Sequence, residues 1–125
     1  RCKMPWFRHP APHGPMIDAH LHVVPPNLPG VGCLHPLCKE PPAAVAAALR
    51  EGMRAAGLEA AFAMPEWGTG PDDPLGVKAT LRIAEMVPGL HPIGIADPVR
   101  GDDPDHLKRV EAALARGRVA ALKCY

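Results

Sequence analysis

The sequence predicts an α/β fold in which four strands alternate with three helices, in the order β-α-β-α-β-α-β. Short apolar runs alternate with segments whose apolar residues recur every three or four positions. Two helical segments open with Asp-Asp-Pro, which supplies a capping carboxylate and a proline for the first turn. Strand starts near residues 17, 58, 91 and 119 give repeats of about 41, 33 and 28 residues.

The first predicted strand covers residues 17–24 and precedes a Pro/Gly-rich loop over residues 25–42. A helix is predicted over Ala43–Ala56, where Gly57 is a natural C-terminal stop. Residues four positions apart give this helix one apolar face: Val45, Leu49 and Met53. A short apolar strand is then predicted over Leu58–Met64.

The second helix is predicted to open at Asp72-Asp73-Pro74 and to end at Pro88-Gly89, before a strand over Pro92–Ala96. Its predicted buried stripe is Val77, Leu81 and Ala84. The third helix is predicted to open at Asp102-Asp103-Pro104 and to end at Gly117, before a last strand over Val119–Tyr125. Its predicted apolar face is Leu107, Val110 and Leu114, which leaves His106 in solvent.

The alternation calls for a parallel sheet with helices outside it. The repeat lengths are near the roughly 31 residues per unit of a (β/α)8 barrel of about 250 residues. Four strands are too few to close such a barrel. Two interpretations therefore remain open, a small open α/β sheet and the first half of a barrel whose other half is missing.

Composition excludes several classes of partner. The 14 basic and 13 acidic residues nearly cancel, and five aromatic residues offer no base-stacking platform, so we expect neither nucleic acid nor membrane as a partner. Residues 1–15 lack the apolar core of a secretory signal and are expected to be a disordered leader ahead of a domain over residues 16–125. Four scattered cysteines are expected to be reduced thiols in a cytoplasmic protein.

The segment Ile17-Asp18-Ala19-His20-Leu21-His22 carries the main chemical signal. Side chains alternate along a strand, so Asp18, His20 and His22 share one face. Polar residues on a covered face are unfavourable unless something binds them, and two imidazoles two positions apart can reach one metal ion. The alternative is an amphipathic edge strand whose polar face lies in water.

This segment resembles the first-strand signature of the amidohydrolase superfamily, in its amidohydrolase-related branch. The runs 89–98 and 115–125 are also similar to that family, and the resemblance covers about residues 16–125. It implies that the chain is the first half of a truncated TIM-type (β/α)8 barrel. The resemblance implies a divalent metal cofactor, zinc, at the carboxyl ends of the strands. It also implies hydrolysis of a C–N or C–O bond as the reaction.

The resemblance implies that His20 and His22 are metal ligands and that Asp18 is a neighbour that orients the site. Lys123 stands where some members carry a carbamylated lysine that bridges two metals, although many branches keep a lysine there without a metal role. The family's general-base aspartate belongs to a later strand. The chain is therefore expected to be an incomplete enzyme that is inactive alone.

The sequence therefore predicts a metal-dependent hydrolase that acts on a small-molecule substrate. Metal-dependent decarboxylation on the same fold and a non-enzymatic domain that binds metal or a partner remain alternatives. The unpaired edges of a half-barrel also predict homo-oligomers. A loop zinc site at Cys33, His35 and Cys38 has three ligands and unsuitable spacing. Three further residues at strand ends are expected to have loop or capping roles: Glu66, Trp67 and Asp97.

Overall fold

The protein is described by a computed structural model that covers residues 14–124, except residues 29, 33, 68 and 69. The described residues form strands and helices in the predicted alternation. The strands are β1 (Met16–Leu21), β2 (Leu58–Ala63), β3 (Leu90–Ala96) and β4 (Ala121–Cys124). The α-helices are α1 (Pro42–Ala56), α2 (Lys78–Ala84) and α3 (Pro104–Leu114). Two 3-10 helices are η1 (Pro36–Lys39) and η2 (Pro98–Arg100).

The four strands form one curled, parallel sheet with the spatial order β1-β2-β3-β4. Each consecutive pair of strands is therefore also adjacent in space, as short crossover connections through helices require. Leu21 pairs with Ala63, Ala63 with Pro92, and Ile93 with Ala121. The α/β class and the half-barrel curvature agree with the sequence prediction.

The core lies between the sheet and the first two helices. Helix α1 is rich in alanine and ends at Gly57, which adopts φ +69° and donates its N–H to the Arg54 carbonyl at 3.3 Å. Ten residues at most 5% exposed form one cluster: Val23, Val24, Val45, Ala46, Met53, Ala61, Ala63, Ile83, Val87 and Leu90. Strands β2 and β3 and the segment that follows β1 are held together by this shared burial.

The turn into β3 depends on one glycine. Gly89 adopts φ +81°, a conformation that residues with a side chain rarely take. A Cβ atom at this position would lie 2.4 Å from the backbone oxygen of Glu59. Glycine is thus required both by the backbone angle and by the close approach of the neighbouring chain.

The predicted start of the second helix is wrong. Helix α2 begins at Lys78, because the Asp73 carboxylate accepts the Val77 and Lys78 N–H groups, both at 2.9 Å, across an intervening turn. Asp73 thus provides hydrogen-bond acceptors for the free N–H groups at the start of α2, although the residue directly before this helix is Val77. The buried helical residues are Thr80 and Ile83, whereas the predicted Leu81 and Ala84 are half-buried.

The predicted apolar face of the third helix is also wrong. Asp103 caps α3 as expected, since its carboxylate accepts the N–H groups of Asp105 and His106 at 3.0 and 3.1 Å. His106 is the helix residue that becomes buried, at 2% exposure, while Leu107 is 49% exposed. The cap fixes where the helix begins, but its rotation about its own axis depends on packing.

Other boundaries differ by a few residues. Strand β1 ends at Leu21, so His22 lies just beyond it, and the predicted packing side chain of Ile17 is 56% exposed. Residues 1–13 of the expected leader lie outside the described residues, as does Tyr125 at the end of the last predicted strand. Among the described helices, none has the length and apolar character needed to cross a membrane.

Candidate metal centre

The two predicted metal ligands lie together at the carboxyl end of β1. His20 belongs to the strand and His22 follows its last residue. Their Nε2 atoms are 3.1 Å apart, and the ring centroids are separated by 5.1 Å with the planes tilted by 55°. The two imidazoles therefore turn the same nitrogen toward a common point, as the alternation of side chains along an extended chain predicts.

Asp18 contacts the backbone of the same segment. Its Oδ1 atom accepts the N–H of His20 at 2.9 Å, and the residue is half-buried. Short acidic side chains commonly accept a backbone N–H two residues further along the chain. This bond restrains the backbone that carries His20, whereas the predicted role of Asp18 toward a metal stays a prediction.

Electrostatics at His22 favour the neutral imidazole. Partial burial lowers the pKa of His22 below its usual 6.5, and the nearby His20 and Lys123 lower it further. Lys123 belongs to β4, so its charge acts on His22 from the far side of the curled sheet. The neutral form is the one that binds a metal ion.

The segment around η1 lies against His22. The Cys38 thiol donates to the His22 carbonyl with an Sγ–O distance of 3.8 Å, and the Nδ1 atom of His35 accepts the Leu37 N–H at 3.1 Å. A cavity of about 310 Å³ lies beside His22. Its lining is mostly apolar and includes Leu21, Val23, Leu37, Val45 and Leu49. Cys33 of the weaker loop site lies outside the described residues.

The donor set at the carboxyl end of β1 fits part of a metal site. Two nitrogen ligands at about 2.0–2.1 Å from a tetrahedral ion lie about 3.3 Å apart, close to the 3.1 Å between the two Nε2 atoms. The Nδ1 atom of His22 is buried and has no hydrogen-bond partner among the described residues. Within this described part of the chain, no three His, Cys, Asp or Glu side chains gather around a common point.

The residues expected to have structural roles at strand ends make local contacts. The Asp97 carboxylate accepts the Val99 N–H at 3.0 Å and so caps η2. The Trp67 N–H donates to the Pro26 carbonyl at 2.8 Å, which ties the loop after β2 to the loop after β1. Glu66 is half-buried, and burial together with the nearby Asp73 raises the pKa of its carboxyl above 4.5.

Sequence reasoning missed the burial of His106, because the residue sits beside the acidic cap of an amphipathic helix. Its Nδ1 atom has no hydrogen-bond partner among the described residues. His106 lines a groove of about 370 Å³ between α3 and β4, together with Leu107, Leu122 and Cys124.

No protein-family model, no curated protein and no solved structure matches the chain.

Proposed function

We propose that the chain provides part of the catalytic centre of a metal-dependent hydrolase of the amidohydrolase type. The observation that carries the proposal is the convergent pair of His20 and His22 at the carboxyl end of the first strand. This end of a parallel α/β sheet is where substrates and metals bind in barrels and open sheets.

The residues of the chain would have separate roles. His20 and His22 would hold the ion through their Nε2 atoms, and Asp18 would restrain the backbone that carries His20. A bound divalent ion such as Zn²⁺ lowers the pKa of water toward roughly 7 and polarises a carbonyl group. The Lys123 ammonium near His22 favours a neutral imidazole; as a carbamate, Lys123 would instead supply an oxygen ligand.

The proposal also requires groups that the described residues do not supply. A zinc site with catalytic function has three protein ligands and an open position, whereas the described residues bring two histidines together. A general-base carboxylate must also come from outside this set. We therefore propose that the chain is inactive by itself and binds metal more weakly than a complete site.

Metal content of the purified chain tests the site directly. In an equilibrium titration with Zn²⁺, the wild type is expected to bind about one ion weakly, and the variant His20→Ala/His22→Ala is expected to bind none at this site. The matched control is His91→Ala, because His91 is an exposed histidine on β3. Equal zinc in the wild type and the double variant would overturn the site.

Hydrolysis is tested separately from metal binding. A panel of activated esters and amides is to be assayed with the longest form of the protein that the reading frame encodes. Turnover that requires metal and disappears in His20→Ala/His22→Ala supports the hydrolase. Zinc binding without turnover of any substrate would instead favour the non-enzymatic metal-binding domain.

A further inference from the structure

The two histidines of the candidate metal centre are held by different kinds of contact. His20 lies within β1, and the Asp18 carboxylate accepts its backbone N–H at 2.9 Å. His22 lies beyond this strand, since the register of β1 with β2 ends at the pair of Leu21 and Ala63 among the described residues. The position of His22 relative to His20 therefore depends on contacts outside the sheet.

The 3-10 helix η1 supplies such a contact. The Cys38 thiol donates to the backbone carbonyl of His22, 16 positions away in the sequence, with an Sγ–O distance of 3.8 Å. Cys38 is half-buried and lines a cavity of about 180 Å³ together with Val23 and Val45, which are each at most 5% exposed. The thiol thus joins the segment after β1 to the turn that precedes α1.

The turn that carries the thiol is itself held by His35. The Nδ1 atom of His35 accepts the Leu37 N–H at 3.1 Å, and its carbonyl accepts the Cys38 N–H at 3.0 Å. The backbone of His35 is extended, at φ −147° and ψ 137°, as is usual for a residue that caps a helix start. Pro36 follows and restricts the backbone of the first turn. His35 therefore fixes the turn that brings Cys38 to His22.

The separation of the two imidazoles decides how well they bind one ion. Their Nε2 atoms are 3.1 Å apart, near the separation of about 3.3 Å that two ligands of a tetrahedral zinc ion adopt. Freedom of either imidazole in the metal-free protein is lost when both bind the ion, and this loss weakens binding. A contact that restrains His22 before the ion arrives therefore raises metal affinity without contacting the ion.

We propose that η1 positions His22 for metal binding, with Cys38 as the positioning residue and His35 as the cap of the turn. This inference rests on the proposed function, because the role it assigns is toward an ion held by His20 and His22. Within the described ranges no third His, Cys, Asp or Glu side chain joins these two histidines around a common point. Cys38 and His35 thus act through the backbone of His22 and not as further ligands.

Zinc affinity of the variant Cys38→Val is the first test. Valine keeps the apolar volume of the side chain but has no S–H donor. We expect an equilibrium titration with Zn²⁺ to show binding about two- to fivefold weaker than in the wild type, as the loss of one weak hydrogen bond predicts. The matched control is Cys124→Val, because Cys124 is an exposed thiol on β4, and it is expected to bind zinc as the wild type does.

A pair of variants at His35 tests the cap. Asparagine can accept an N–H two residues further along the chain, as His35 does, whereas alanine cannot. We expect His35→Asn to bind zinc like the wild type and His35→Ala to bind it about twofold more weakly. An equal loss in both variants would make the imidazole itself a ligand and would contradict the inference. So would a thiolate-to-metal absorption band of the Co²⁺-loaded protein that disappears in Cys38→Val.

The His22 carbonyl provides a readout that needs no metal. His22-Val23 is the only His-Val pair in the sequence, so labelling histidine with ¹³C at the carbonyl and valine with ¹⁵N gives a single NMR correlation. In the metal-free protein we expect this carbonyl resonance to move upfield in Cys38→Val, because the thiol donor is lost, and to stay in place in Cys124→Val. An unchanged resonance in Cys38→Val would refute the thiol contact. Circular dichroism identifies any variant that does not fold.

The outcomes separate this inference from the proposed metal site. Weaker zinc binding in Cys38→Val and His35→Ala, wild-type binding in His35→Asn and Cys124→Val, and a shifted His22 carbonyl together support the positioning role. Zinc affinity in Cys38→Val equal to that of the wild type would overturn the positioning role and leave the metal site standing. No zinc binding by the wild type would overturn the metal site and, with it, the inference that rests on it.

Discussion

Helices α1 and α3 make an informative comparison, because both begin at proline and both carry apolar residues at helical spacing. In α1 the predicted face reaches the core: Val45 and Met53 are at most 5% exposed. In α3 the predicted leucines remain exposed, and His106 is buried. Helical spacing therefore predicts that a helix forms, but its apolar face becomes buried only where a neighbouring surface covers it.

The same contrast extends to the strands. Strands β2 and β3 and the two valines that follow β1 share one core with α1 and α2, and Ala61 and Ala63 of β2 are fully buried between neighbours. Among the described residues, β4 pairs with β3 alone, three of its four residues are exposed, and none belongs to this core. We therefore expect the first part of the described sheet to contribute most of the stability, and the α3–β4 part to contribute little.

Truncation of a core side chain is expected to have the largest effect. Ile83→Ala removes a side chain that is 2% exposed in the shared core and should lower the free energy of unfolding by about 3 kcal/mol. Leu107→Ala in α3 should change it by less than about 0.5 kcal/mol, because that side chain is 49% exposed. Urea denaturation of both variants measures the contrast. Equal losses would show that α3 belongs to the same core.

Replacement of the buried histidine is expected to have the opposite sign. His106→Leu removes a ring whose Nδ1 atom is buried without a partner among the described residues, and it keeps apolar volume. We expect it to raise the free energy of unfolding by about 1 kcal/mol, since an unsatisfied buried polar atom is removed. Thermal unfolding measures the change. A clear loss of stability in His106→Leu would contradict this expectation, because it would show that the His106 ring makes a stabilising hydrogen bond.

Loss of the α3 cap is expected to have a smaller effect that depends on pH. The N–H groups of His106 and Asp105 hold the pKa of the Asp103 carboxyl below its usual 3.8. Because the pKa is lower in the folded protein, the ionised Asp103 carboxylate stabilises the fold above pH 3.8. This stabilisation is lost as the pH falls through the lowered pKa of the folded state. Asp103→Ala should therefore be destabilising at neutral pH.

Asp103→Asn is the control for this cap, because asparagine can accept the same N–H bonds but does not ionise. We expect the difference in melting temperature between the wild type and Asp103→Asn to shrink as the pH is lowered below 3.8. A difference that stays constant between pH 7 and pH 3 would contradict the carboxylate's role.

The smallest expected effect concerns Glu66, in the loop that follows β2. Burial and Asp73 raise the pKa of Glu66 above 4.5, so ionisation of this carboxyl is less favourable in the folded chain than in the unfolded chain. Protonated Glu66 therefore contributes to the free energy of unfolding in full below pH 4.5. This contribution is lost as the pH rises through the raised pKa of Glu66 in the folded chain. Glu66→Gln should thus slightly raise the melting temperature at pH 7 and leave it nearly unchanged at pH 4. A lower melting temperature at pH 7 would indicate that the charge is stabilising.

Much of the candidate site could be predicted from sequence because it is local. His20 and His22 are two residues apart, and alternation along an extended chain is enough to turn both imidazoles the same way. The electrostatic effect of Lys123 on His22 could be expected only through the family resemblance, because these residues are 101 positions apart and lie on the two outer strands of the described sheet. The burial of His106 had no local signal at all, since its neighbours in sequence are charged or amphipathic.

The sequence by itself determined the order of strands and helices, the capping of α3 by Asp103, the end of α1 at Gly57 and the pairing of the two histidines. Each depends on contacts within a few residues of the chain. Only the tertiary structure decided that Asp73 caps α2 from a distance and that α3 buries His106 instead of its leucines. These features depend on which surfaces meet in space, and the free energy of that burial is shared among residues far apart in sequence.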